Sequence, residues 1–181
     1  GSSITDVGMN TAVGYNALKL TTSSANTAVG YAAGAEIASG INNAIFGAHA
    51  MVNANGDEDQ NTAIGCEAFI NLDDDAANGN VALGYRAGRY YETTPAGAPT
   101  PDGALTKAVN STYIGHNTCA NHASSNDNVT VIGYNAVANA SNSVTLGNAS
   151  IASLNCTENS ISALSDRRIK RDISDNAVGL D

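Results

Sequence analysis

A short unit returns eight times along this chain and limits what it can fold into. "NTAVGYNAL" at 10–18 reappears as "NTAVGYAAG" at 26–34, "NAIFGAHAM" at 43–51, "NTAIGCEAF" at 61–69 and "NVALGYRAG" at 80–88. Three looser copies follow, "STYIGHNTC" at 111–119, "VTVIGYNAV" at 129–137 and "SVTLGNASI" at 143–151. The unit's glycines (Gly14, Gly30, Gly47, Gly65, Gly84, Gly115, Gly133 and Gly147) are spaced by 16, 17, 18, 19, 31, 18 and 14 residues. A period that stretches while the motif survives places the length changes in surface turns. Fixed self-similarity of this kind is the mark of a solenoid.

The unit itself sets the kind of solenoid. Its apolar run of about five residues is too short for a helix, and Gly and Asn recur too often for one. Alternation puts Ala12, Ala28, Ala63 and Ala82 on one strand face together with the glycines, and Val13, Val29, Ile64 and Leu83 on the other. Stacked rungs turn each position into a column of like residues about 4.8 Å apart. The branched residues are expected to form one apolar column. The Ala/Gly face is expected to be where another backbone approaches closely. A coil of 14 to 19 residues encloses little core, so burial against other copies of the chain is also expected.

Composition agrees with a thin core. Hydrophobic residues make up 43% of the 181, but there is no Trp, only two Phe, and much of the fraction is Ala. No apolar run is long enough to cross a bilayer and no signal peptide opens the chain, so membrane insertion is not expected. The net charge of −9, with no basic stripe before residue 165, argues against nucleic acid. Cys66, Cys119 and Cys156 lie far apart without a CxxC pair, and read as small buried hydrophobes rather than disulfide or zinc residues.

The "NTAVGY" units and "NSVTLGNAS" (142–150) resemble the head repeats of trimeric autotransporter adhesins, with similar repeats in phage and algal-virus tail fibres. That resemblance implies an all-β fold, a homotrimeric left-handed parallel β-roll. Its partners would be two further copies of itself and a host cell-surface glycan or protein. The loose spacing and the 31-residue gap depart from the tighter adhesin pattern.

The gap, "RYYETTPAGAPTPDGALTKAVN" (89–110), holds all three prolines and is expected to leave the roll as a loop. Tyr90 and Tyr91 at its start are candidate receptor contacts. Two acidic turns, "NGDEDQN" (55–61) and "NLDDDAANGN" (71–80), interrupt consecutive rungs. Stacking would bring Asp57 near Asp75 as weak ligands for a hard cation, although charged turns that protect a β edge explain them as well, and no metal or other cofactor is expected. His116 falls in the slot after the glycine, which Tyr15, Tyr31, Tyr85 and Tyr134 also occupy. No paired carboxylates lie on strands, and no hydrolase, zinc-protease or phosphate-loop motif appears, so a polysaccharide-degrading tailspike ranks third among the readings.

The end of the chain changes character. "LSDRRIKRDI" (164–173) places Arg167, Arg168, Lys170 and Arg171 directly behind a Ser-Asp pair. Locally this is a short helix capped by Ser165 or Asp166. "SDRRIKRDI" also closely resembles the start of the intramolecular chaperone domain of phage tailspikes and fibres, over some 17 residues. In that family the domain trimerises the preceding β-structure and then cuts itself off before a Ser. Carried over, the resemblance makes Ser165 the nucleophile, Lys170 the base and Leu164–Ser165 the scissile bond. The implied organisation is a repeat roll at 1–149, a closing stalk at 150–164, and the beginning of a chaperone domain with an early helix at 165–181. The dyad is expected to be inactive in this chain, because most of the fold that would position it is missing. The expected setting is the virion, as part of a tail fibre or spike. The alternative is the head of a bacterial surface adhesin, which would lack "SDRRIKRD".

Overall fold

Each copy of the unit contributes one three-residue strand, and the strands stack in parallel. The computed structural model describes residues 8–91, 103–122 and 126–155. Eight strands form one sheet: β1 (Thr11–Val13), β2 (Thr27–Val29), β3 (Ala44–Phe46), β4 (Thr62–Ile64), β5 (Val81–Leu83), β8 (Thr112–Ile114), β9 (Thr130–Ile132) and β10 (Val144–Leu146). Their order in the sheet is the order in the chain, and every pairing is parallel. Register never slips: Ala12 pairs with Ala28, Ile45 with Ala63, and Ala82 with Tyr113 across the long gap. The result is an all-β parallel solenoid of about seven turns, with no helix among the described residues. The compact repeat unit extends to Ile151; residues 152–155 beyond it have no regular structure and are exposed.

The Ala face lines the interior of the coil, and the backbone its glycines approach belongs to the next rung of the same chain. The middle strand residue points inward, and Ala28, Ile45, Ala63, Ala82, Tyr113 and Val131 are all completely buried. The close backbone approach made possible by small residues occurs between rungs of one chain. A Cβ on Gly30 would lie 2.6 Å from the Gly47 carbonyl oxygen, and one on Gly84 2.6 Å from that of Gly115. Both glycines have φ near +140° (142° and 135°), where an L side chain is strained. The branched residues thus remain on the outer side of the sheet.

Behind the first five motif glycines the chain turns through left-handed residues two and four positions on, as at Asn16 and Leu18, His49 and Met51, or Glu67 and Phe69; behind Gly115 and Gly133 only the first of these, Asn117 and Asn135, is left-handed. The residue at the fourth position fills the core. Glycines there make room for larger neighbours: Gly34 for Leu18 and Ile45, and Gly88 for the Phe69 ring, which meets Tyr113 edge-on at 5.6 Å. Burial pushes the Tyr113 hydroxyl's pKa well up.

A line of buried asparagines closes the coil ahead of the strands. The Asn10 side-chain oxygen accepts the Asn26 backbone N–H at 2.8 Å, and the same bond links Asn26 to Asn43, Asn43 to Asn61 and Asn61 to Asn80, each at 2.9 Å. Each amide nitrogen then donates to a turn carbonyl, Asn61 to Ala77 at 2.8 Å and Asn80 to Ala108 at 2.7 Å. A buried polar side chain costs free energy unless its groups are paired, and these are paired at both ends. The Ser111 N–H donates the last such link to the Asn80 side-chain oxygen at 2.9 Å, and the Ser111 hydroxyl accepts a longer one from the Val129 N–H at 3.2 Å.

The insertion is only partly a loop. β6 (Tyr90–Tyr91) pairs antiparallel with β7 (Gly103–Ala104), and Leu105 and Ala108 return to the core fully buried. The segment expected to leave the roll at 89–110 is therefore anchored at both ends, by the Tyr90–Tyr91 pairing on one side and the buried Leu105 and Ala108 on the other.

Candidate functional site

The outer sheet face carries two columns. One is Thr-rich, running through Thr11, Thr27, Thr62, Thr112 and Thr130 with Ala44, Val81 and Val144 between them. The other is aliphatic or aromatic throughout: Val13, Val29, Phe46, Ile64, Leu83, Ile114, Ile132 and Leu146. Most of this second column is open to solvent, for instance Val13 at 56%, Leu83 at 44% and Ile132 at 38% exposure. Eight rungs make a strip about 34 Å long.

Past the bend at each motif glycine stands a line of rings. Tyr15 stacks on Tyr31 with centroids 5.7 Å apart, and Tyr31 meets His49 edge-on at 5.0 Å. Cys66 then breaks the line. It is exposed rather than buried, since the slot it fills faces out; Cys119 is buried as expected, and Cys156 lies outside the described residues. A second line joins Tyr85 to His116 at 5.1 Å and His116 to Tyr134 at 5.3 Å.

At the head of this second line lies an ionic cluster. Glu67 accepts the Arg86 Nε–H at 2.7 Å and also pairs with the Arg89 guanidinium. Arg86 lies over the Tyr85 ring with its guanidinium carbon 4.7 Å from the centroid, and Arg89 lies over Tyr90 at 4.5 Å. Tyr90 and Tyr91 are both half-buried. Tyr91 belongs more to the coil than to a loop tip, bridging to Ala120 and packing beside the His122 ring at 6.3 Å.

The two acidic turns do meet. The Asp57 N–H points at the Asp75 carboxylate, 3.4 Å away. Among the described residues, however, no group of three His, Cys, Asp or Glu side chains is placed to hold a metal ion. The residue that stands out in this pair of turns is Glu58, which was not singled out from sequence. It is fully buried, its carboxylate accepts the Gly56 N–H, and desolvation, helped by Asp73 and Asp75, pushes its pKa up to about 7. A Glu flanked by Asp residues in a polar turn gives no sequence signal of burial.

Ser165, Lys170 and Leu164 lie outside the described residues. No helix among the described residues is long and apolar enough to cross a membrane. No family model, curated protein or solved structure matches the chain.

Proposed function

We propose that this chain is part of a trimeric attachment fibre, a viral tail fibre or spike, in which three copies pack through the outer faces of their sheets. The observation that carries the reading is the strip of branched side chains left in solvent on an all-parallel sheet. Parallel sheets are covered on both faces in almost every known case, and contiguous apolar patches above a few hundred Å² are rare on monomers. The strip is too narrow to reach, on one pairwise contact, the roughly 800 Å² per partner of a stable interface. Three strips turned towards a common axis let each chain bury its strip against two neighbours at once. The resemblance of the repeats to trimeric adhesin heads and tail fibres favours the same number.

A fibre of this kind serves as a stiff spacer that presents side surfaces to a host cell. The terminal "SDRRIKRD" favours a viral fibre over a bacterial adhesin head. In a longer chain that completes the chaperone fold, the Ser165 hydroxyl attacks the Leu164 carbonyl carbon and Lys170 takes its proton. The Ser165 amine leaves protonated, and water then hydrolyses the ester.

Light scattering tests the assembly. Three copies of 18.3 kDa give about 55 kDa, and Leu83→Asp, which puts a charge in the middle of the strip, should yield smaller species. A folded 18.3 kDa monomer of the unaltered chain at micromolar concentration would contradict the proposal.

A further inference from the structure

We propose that the corner formed by Tyr85, Arg86, His116 and Tyr134 binds a glycan chain that carries isolated carboxylates, one acidic sugar among neutral ones. The proposal rests on the attachment reading for the source of its ligand, and on four observations for its chemistry.

The first is charge. Among the described residues two guanidiniums share the single carboxylate of Glu67, so these three side chains carry one net positive charge. The second is division of labour between the arginines. Arg89 is the more enclosed, its side chain 20% exposed, and pairs with Glu67; Arg86 pairs with the same carboxylate through its Nε and is the more exposed of the two, at 34%. The third is rigidity. Arg86 is pinned by the Tyr85 ring on one side and by its 2.7 Å bond to Glu67 on the other. A planar fork already held in place loses little freedom when it takes a carboxylate in a two-pronged bond. The fourth is continuation. His116 and Tyr134 follow at successive rungs in line with Tyr85, the ring on which Arg86 lies, both exposed. They offer an imidazole and a phenol hydroxyl on rings with few rotatable bonds, a combination that supplies contact area and hydrogen bonds at small entropic cost.

Periodicity and net charge narrow the ligand. Groups repeated at each rung match a repeating polymer better than a compact molecule. A chain of net charge −9 repels a dense polyanion, so a ligand charged at every sugar, or sulfated, is disfavoured, while one carboxylate per repeat can meet the local positive site. The corner lies past the glycine bend, off the strip assigned to self-association.

Calorimetric titration with hyaluronan hexasaccharide and 3′-sialyllactose, each beside its carboxyl-reduced neutral form, tests the idea. The acidic forms should bind about tenfold more tightly than the neutral ones, the scale of one charge-assisted contact. Arg86→Gln should erase that preference, Arg86→Lys should keep part of it, and Tyr134→Ala should weaken acidic and neutral forms alike. Absence of carboxylate-dependent binding across both pairs, or an Arg86→Gln protein that still prefers the acidic forms, would overturn the proposal. Light scattering on the same samples keeps the two readings apart. A monomer that prefers the acidic sugars removes the trimer and leaves this site, while a trimer that does not prefer them removes only the site.

Discussion

Between β4 and β5 the motif glycines are 19 residues apart, and between β9 and β10 only 14, yet the three-residue strands pair without a slip in both places. The turns on the other side of the coil absorb the whole difference, including a 31-residue excursion between β5 and β8. The strand side is repetitive because each residue there lies against its own counterpart one rung away, so a change is felt twice. The turn side tolerates length because loop closure costs little more as a loop grows. Acidic residues and the insertion are found where that tolerance exists.

The sharpest way to break the contrast is to alter a motif glycine. Gly84→Ala would force a Cβ to within 2.6 Å of the Gly115 carbonyl oxygen at a φ of 135°. The expected loss is about 3 kcal/mol or more, read from denaturant unfolding. A loss below about 1 kcal/mol would mean that the rungs can part, and the strand side would not be the rigid one.

A smaller effect is expected at the asparagine line. Asn61→Ala removes the acceptor of the Asn80 N–H and the donor to the Ala77 carbonyl, leaving buried groups unpaired for about 2–3 kcal/mol. The same substitution at Asn55, an exposed turn residue, should change stability by about 0.5 kcal/mol or less.

The smallest effect concerns the turn side and depends on pH. The folded chain holds the Glu58 proton to about pH 7, whereas the unfolded chain releases it near 4.5. The folded state thus binds more protons in that window, and stability falls as pH rises through it, flattening outside it. Thermal melts of the native chain and of Glu58→Gln should diverge between pH 5 and 7.5, with the native chain losing ground by an amount on the order of 1 kcal/mol. Parallel melting curves would show that the turn opens to water without cost.

The rungs, their order and the strand centres were legible in the sequence because Gly recurs after each short apolar run and only the turn lengths vary. Which face turns inward was not. An Ala column next to a Val/Ile/Leu column looks like a thin outer surface beside a core, and only the mixed sizes at one position, Ile45, Tyr113 and Val131 among the alanines, hint at an interior that must be filled rung by rung. Large residues there are matched by small ones in neighbouring turns, a relation between rungs that one-dimensional alternation does not carry. The ring line was half visible, in the slot shared by His116 and four tyrosines; His49 meets Tyr31 from the next position along, which the slot spacing does not indicate. The Glu67–Arg86–Arg89 cluster was not visible at all, since Glu67 and Arg86 are 19 residues apart and meet only through the stacking.

The asparagine line also gives the coil a weak end. From Asn26 to Asn80 each rung is clipped to the next by a buried side-chain amide, after which the Ser111 hydroxyl holds the Val129 N–H at 3.2 Å. The last pair is tied only by exposed amides, Asn128 to Asn142 at 3.0 Å and Asn148 to the Tyr134 carbonyl at 2.9 Å, where water competes for the same groups. Under tension along the stack, load passes from rung to rung in series, and a series of links parts at its least clipped member. Pulled from its two ends, this solenoid would open first at β10 and β9 and peel backwards, while the rungs between Asn26 and Asn80 stay closed until last.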